Sequence, residues 1–194
     1  MHESSSKPHE TPPHKGKIAY LESRERRGEF SSEQLFSKIP LQQSDNVLDF
    51  GAGTGYFSLP LSKKVNGKVY ALDIDQSMLD IIGSKAMEEH ITNIVPLHAG
   101  SGGIPLPDAS IDLVIASLVL HEIKPLAPTL DVISNVLKEN GYLVCIELEP
   151  KSEPLQKAPR ITAAGMEEAI TTAGFRITKK FFPTASLYVL IARK

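Results

Sequence analysis

The stretch VLDFGAGTGYFSLPL, residues 47–61, places glycine at positions 51, 53 and 55, directly after an apolar run that carries one carboxylate, Asp49. Glycine at that density marks backbone that turns tightly or passes close to a bound molecule. A plain turn rarely needs three glycines in a G-x-G-x-G pattern, so the loop reads as a place where something binds. Thr54 stands where it could cap a helix beginning near Tyr56.

Outward from this loop, short apolar runs alternate with helical spacing. Strands are expected at 46–50, 68–73, 94–98, 111–118 and 141–148, with helices at 56–65, 76–90 and 126–137 between them. Near-continuous apolar strands such as LVIASLVL suit a parallel sheet covered on both faces. The alternation predicts an α/β, Rossmann-like, doubly wound fold. A helix at 163–173, closed by Gly174, precedes two β-rich runs, FRITKKFF and SLYVLIARK. Only Pro183 to Ala185 separates those runs, too little for a crossover, so they should pair antiparallel.

A glycine loop between a parallel strand and a helix lies at the carboxyl edge of the sheet, where open α/β folds bind ligands. The dinucleotide fingerprint is G-x-G-x-x-G, yet here the third glycine comes one position early and Tyr56 stands in its place. A bulky side chain there would crowd a diphosphate, and Asp49 suits a cationic ligand better than a phosphate. Asp73 closes the second strand, in VYALDID, where a carboxylate can accept hydrogen bonds from both hydroxyls of a ribose. The implied ligand has a ribose, lacks a diphosphate and tolerates carboxylates. S-adenosylmethionine has those features.

VLDFGAGTGYFSLPL followed by VYALDIDQSML resembles the first two motifs of class I S-adenosylmethionine-dependent methyltransferases. PLPDASIDLVIASLVLHEI resembles their fourth-strand segment in the subgroup containing the ubiquinone and menaquinone methyltransferases. The resemblance runs from about residue 46 onward and implies a mostly parallel seven-stranded sheet of order 3-2-1-4-5-7-6, ending in the antiparallel hairpin. It also implies that Asp49, Phe50, Gly51, Ala52, Gly53, Thr54 and Gly55 surround the methionine moiety and that Asp73 holds the ribose. Ile74 would lie against adenine with Met78 nearby, while Ser117 and Leu118 line the methionine end. Many relatives carry an acidic residue followed by alanine where this chain reads Gly100-Ser101, so adenine contact is expected there from Ser101 or backbone carbonyls.

Methyl transfer is an in-line displacement, so the protein mainly aligns the nucleophile and excludes water. A hydroxyl or amine acceptor must lose a proton, and His121, just beyond the fourth strand, is the candidate base. The same histidine could instead fix that loop by hydrogen bonds. Glu147 and Glu149 are expected at the end of the fifth strand, solvated or paired with Lys151, with contact of one of them to a cationic substrate as the alternative. No clustered carboxylate or H-x-x-x-H spacing points to a metal.

The rest of the composition narrows the class. The 194 residues are 41% hydrophobic and 23% charged, with a formal net charge of −2, which fits one globular domain without a nucleic-acid partner. One cysteine, Cys145, excludes a disulfide framework. Apolar stretches fall short of a membrane span, and the N-terminus lacks a signal-peptide hydrophobic region, so the expectation is a cytoplasmic protein without membrane insertion. Residues 1–17 read as a mobile tail and 18–194 as a single domain, with N-terminal helices over 18–45. Ser31 and Gln34 have capping-box spacing there. Residues 20–36, including Arg24, Arg26 and Arg27, could form a lid over a small-molecule methyl acceptor. Monomer and homodimer both remain open, as do two other functions: a nicotinamide-dependent oxidoreductase, and a non-catalytic cofactor-binding partner of another methyltransferase.

Overall fold

The computed structural model describes residues 30–100, 103–150 and 159–194. It contains one seven-stranded sheet: β1 (Val47–Phe50), β2 (Val69–Asp73), β3 (Ile94–His98), β4 (Ile111–Ser117), β5 (Leu137–Leu148), β6 (Arg176–Phe181) and β7 (Leu187–Arg193). Their spatial order is β3-β2-β1-β4-β5-β7-β6, as expected from the resemblance. The first five strands pair parallel, whereas β7 is antiparallel to both β5 and β6.

The interior strands are apolar on both sides because helices cover both faces. In β4, Ile111, Leu113, Val114, Ile115 and Ala116 are all fully buried. Each large aliphatic side chain so buried contributes about 1.5–3 kcal/mol. One face packs Leu48, Val114 and Leu143 against α4 (Ala127–Val136) and α5 (Ala163–Thr172). The other packs Val47, Leu113 and Val144 against α1 (Ser32–Phe36) and α2 (Ser58–Ser62). Helix α3 (Gln76–Glu88) crosses between β2 and β3 and starts on an Asp75 cap that accepts the Ser77 N–H.

The Ser31–Gln34 capping box forms as expected: the Ser31 hydroxyl accepts the Gln34 N–H, and the Gln34 side chain accepts the Ser31 N–H. Residues 30–36, the described part of the expected lid, pack on the sheet face, with Phe30 edge-on to Phe181 and Phe36 near Phe57. The remainder of that segment, with Tyr20, Arg24, Arg26 and Arg27, and the expected tail at 1–17 lie outside the described residues.

Two local expectations are corrected. Helix α2 begins at Ser58, not near Tyr56, and its N-cap Phe57 has no side-chain cap, so Thr54 does not cap it. The glycine loop continues instead as a turn, closed by the Gly55 N–H on the Ala52 carbonyl. Strand β5 begins at Leu137, before Gly141. Its register against β4 shifts between Ile111 and Leu113, near Asn140, whose φ is +69°. The shift accommodates extra residues, as a β-bulge does.

Candidate functional site

At the carboxyl ends of β1, β2 and β4 the structure leaves a cavity of about 280 Å³. Phe50, Gly51 and Gly53 reach it from the loop after β1, and Leu72, Asp73 and Ile74 from the end of β2. Ala99 borders it after β3, and residues 117–119 with Glu122 and Ile123 form the wall after β4.

The glycines are required by conformation. Gly51, Gly53 and Gly55 have φ of +77°, +54° and +88°, the left-handed region that side chains resist. Gly51 also has no room: a Cβ there would lie 2.6 Å from Val119 Cγ2. The loop is sewn to β2 by its amides. Gly51 and Ala52 both donate to the Leu72 carbonyl, at 2.8 and 2.9 Å, and Gly53 donates to Asp73 Oδ2 at 2.8 Å. Asp73 Oδ1 accepts the Asp75 N–H at 3.0 Å. Each carboxylate oxygen has two acceptor directions, so Asp73 is oriented by the backbone and still able to accept a ligand hydroxyl.

Asp49, at the root of the loop, is buried and accepts the Ser58 hydroxyl at 2.6 Å. Ile74 is 77% exposed at the cavity edge, an unusual position for an aliphatic side chain of its size.

The wall after β4 is held from behind. Leu118 has φ +54°, and its N–H donates to the Ile146 carbonyl. A 3₁₀ turn, Leu120–Glu122, follows. Glu147, fully buried on β5, accepts the Val119 N–H at 3.1 Å and the His121 N–H at 3.3 Å on Oε1. Its Oε2 lies 2.6 Å from His121 Nδ1. The histidine ring is buried, with Nε2 3.8 Å from the cavity-lining carboxylate of Glu122. Nearby on β5, burial pushes the Cys145 thiol well above its usual value, with the Glu147 charge adding to the effect.

Of the residues singled out from the sequence, Phe50, Gly51, Gly53, Asp73, Ile74, Ser117 and Leu118 come together around the cavity. Asp49, Ala52, Thr54, Gly55, Met78, Gly100 and His121 are not part of its lining. Met78 is fully buried, and Gly100 pairs in an isolated bridge with Gly103. Ser101 lies outside the described residues. Sequence reasoning missed Leu72, Ala99, Val119, Glu122 and Ile123 as wall residues. It also expected Glu147 solvated or paired with Lys151, whereas Glu147 is buried on His121; Lys151 lies outside the described residues. The available signal was an acidic residue inside the apolar run LVCIEL. Glu149 accepts the Ala163 N–H at the start of α5.

Among the described residues, no helix is long and apolar enough to cross a membrane, and no group of three or more His, Cys, Asp or Glu is placed to hold a metal ion.

Comparison with known proteins bears on the family and the fold. The methyltransferase domain model matches residues 48–145, half of the chain. Demethylmenaquinone methyltransferase of Lactiplantibacillus plantarum is 31% identical over 128 residues, covering 64% of this chain and 54% of that protein. Malonyl-[acyl-carrier protein] O-methyltransferase of Marinomonas sp. is 35% identical over 123 residues, covering 63% and 45%. The chain thus spans about half the length of the curated relatives it matches. The crystal structure of a SAM dependent methyltransferase from Aquifex aeolicus superposes with a TM-score of 0.84 at 25% identity, covering 92% of this chain and 97% of that one. The chain belongs to the methyltransferase domain family, and its family and fold are those of a class I S-adenosylmethionine-dependent methyltransferase.

Proposed function

We propose that the cavity binds S-adenosylmethionine and that the protein transfers its methyl group to a small-molecule acceptor. The observation that carries this reading is the loop's own hydrogen bonding. A dinucleotide loop aims free amides at a diphosphate, but here Gly51, Ala52 and Gly53 all donate to β2. What faces the cleft is carboxylate, Asp73 and Glu122, over an otherwise mostly apolar wall. That chemistry favours a cationic, ribose-bearing ligand. At about 280 Å³ the cavity stands near the lower end of ligand clefts, roughly 300–1,000 Å³.

S-adenosylmethionine, when bound, would supply a methyl carbon activated by its sulfonium, and the chain's part is to hold and align it. Asp73 would take the ribose hydroxyls, exposed Ile74 would cover adenine, and Ser117 with Leu118 would line the methionine end. Asp49 would stand buried at the root of the loop, and Met78, fully buried on α3, would lie near the adenine end. For an acceptor that must lose a proton, His121 Nε2 is the proposed base: the acceptor's O–H or N–H bond breaks and its pair stays behind. The two relatives compared above are named for different acceptors, demethylmenaquinone and malonyl-[acyl-carrier protein]. The reading therefore commits to a class of chemistry and not to one compound.

Calorimetry of the full chain with S-adenosylhomocysteine and with NADH tests it. Binding of the first and not the second is expected. Asp73→Ala should weaken that binding by about tenfold or more, since hydrogen bonds to charged groups are worth about 1.5–3 kcal/mol. Unchanged affinity in Asp73→Ala would refute the assignment.

A further inference from the structure

A buried carboxylate is costly unless charge and hydrogen bonds compensate it. Glu147 is fully buried, and its compensation comes from the loop after β4: two backbone amides on Oε1 and the His121 ring on Oε2. The two amides can only donate, so Oε1 is an acceptor. A carboxylate whose two oxygens both accept requires the proton on His121 Nδ1. In the neutral ring Nε2 then carries the lone pair, on the side toward cavity-lining Glu122.

We propose that Glu147 is a positioning residue that does two things at once. It pins the cavity wall at Val119 and His121, and it holds His121 in the Nδ1–H form that leaves Nε2 as a proton acceptor. The first action reaches the glycine loop directly, because the Val119 side chain fills the space against Gly51. The second rests on the proposed reading of the cleft as a methyltransferase site. In the proton step, Nε2 gains the acceptor's proton, and the resulting positive charge on the ring is balanced by Glu147.

Two substitutions separate the actions. In Glu147→Ala the two loop amides and the ring all lose their partner. In Glu147→Gln the side-chain oxygen keeps both amides, because reversing the side-chain amide would set its NH₂ against two backbone N–H donors. The NH₂ of that glutamine then faces Nδ1 as a donor and forces the proton onto Nε2. The full chain, labelled with ¹⁵N-histidine, reports the tautomer by NMR, with the His121 signal among six histidines assigned from His121→Gln. S-adenosylhomocysteine is the calorimetric probe.

The wild type should show a protonated Nδ1 and a bare Nε2. Glu147→Ala should lose at least tenfold in probe affinity. Glu147→Gln should recover most of that loss while moving the ring proton to Nε2. A wild-type ring protonated on Nε2, a Gln variant that keeps the proton on Nδ1, or an Ala variant with full affinity would each overturn the proposal. A wild type that binds no probe would overturn the functional reading, and the role of Nε2 with it. That failure is distinct, because the tautomer result still tells whether Glu147 sets the ring.

Discussion

Replacing Gly51 with alanine tests whether the glycine loop is constrained by strain and space together. At φ +77° a Cβ costs about 1–2 kcal/mol. The new atom would stand 2.6 Å from Val119 Cγ2 and 2.9 Å from Val119 Cβ. Rotating Val119 relieves the first contact but not the second, because Cβ moves only with the backbone. That backbone is held by the Val119 N–H on Glu147. Overpacking of this kind adds about 1–3 kcal/mol, so Gly51→Ala should cost about 2–5 kcal/mol. For a chain of this length the melting temperature should fall by roughly 4–20 °C.

Urea unfolding followed by far-UV circular dichroism measures it, the chain having no tryptophan. Val119→Ala removes the Cγ contacts, so the double variant should recover about 1 kcal/mol relative to the sum of the singles. Gly83→Ala is the control: it lies in helix α3, its Cβ meets nothing within 4 Å, and it should stabilise by about 0.5–1 kcal/mol. A Gly51→Ala variant within about 0.5 kcal/mol of wild type, or a strictly additive double variant, would refute the reasoning.

Two further outcomes follow from buried groups. Cys145 is fully buried and its thiol is raised by that burial, so a thiol reagent should label the native chain far more slowly than the urea-unfolded one. Equal labelling rates would contradict the placement. Asp45 is raised mainly by burial, an effect partly opposed by the Gln42 N–H and reinforced by Asp112. Its folded state holds the proton more tightly than the unfolded state, so its contribution to stability falls as pH rises through the carboxylate range. Asp45→Asn keeps an oxygen for the Gln42 N–H and removes that titration. Its stability relative to wild type should therefore increase from acid toward neutrality, and a flat or opposite trend in urea midpoints would count against the assignment.

Most strands were legible because they must bury both faces. IDLVIAS reads as a central strand for the same reason that Ile111 and Leu113 to Ala116 are fully buried. The hairpin was legible from the shortness of the link between its strands. The sheet order was not: it came with the resemblance. The start of α2 escaped because Thr54 has the right chemistry for a cap but sits in a turn that the Leu72 carbonyl and Asp73 draw toward β2. Asp73 could be placed by its spacing from the glycines, and Ser117 with Leu118 by the resemblance. Glu147 could not be placed, because its partners lie 26 and 28 residues away and meet it only across two paired strands. Local pattern reports burial; it does not report which buried groups answer one another.

The position of β7 also bears on how the molecule is assembled. This strand lies between β5 and β6, although both precede it in chain order. Until it has been made and inserted, β5 presents an open, strongly apolar edge through Leu143, Val144, Cys145 and Ile146, the kind of surface that recruits a wrong strand from another molecule. A nascent or truncated chain ending before Leu187 therefore leaves the β5 edge without β7, an unpaired apolar strand that favours self-association.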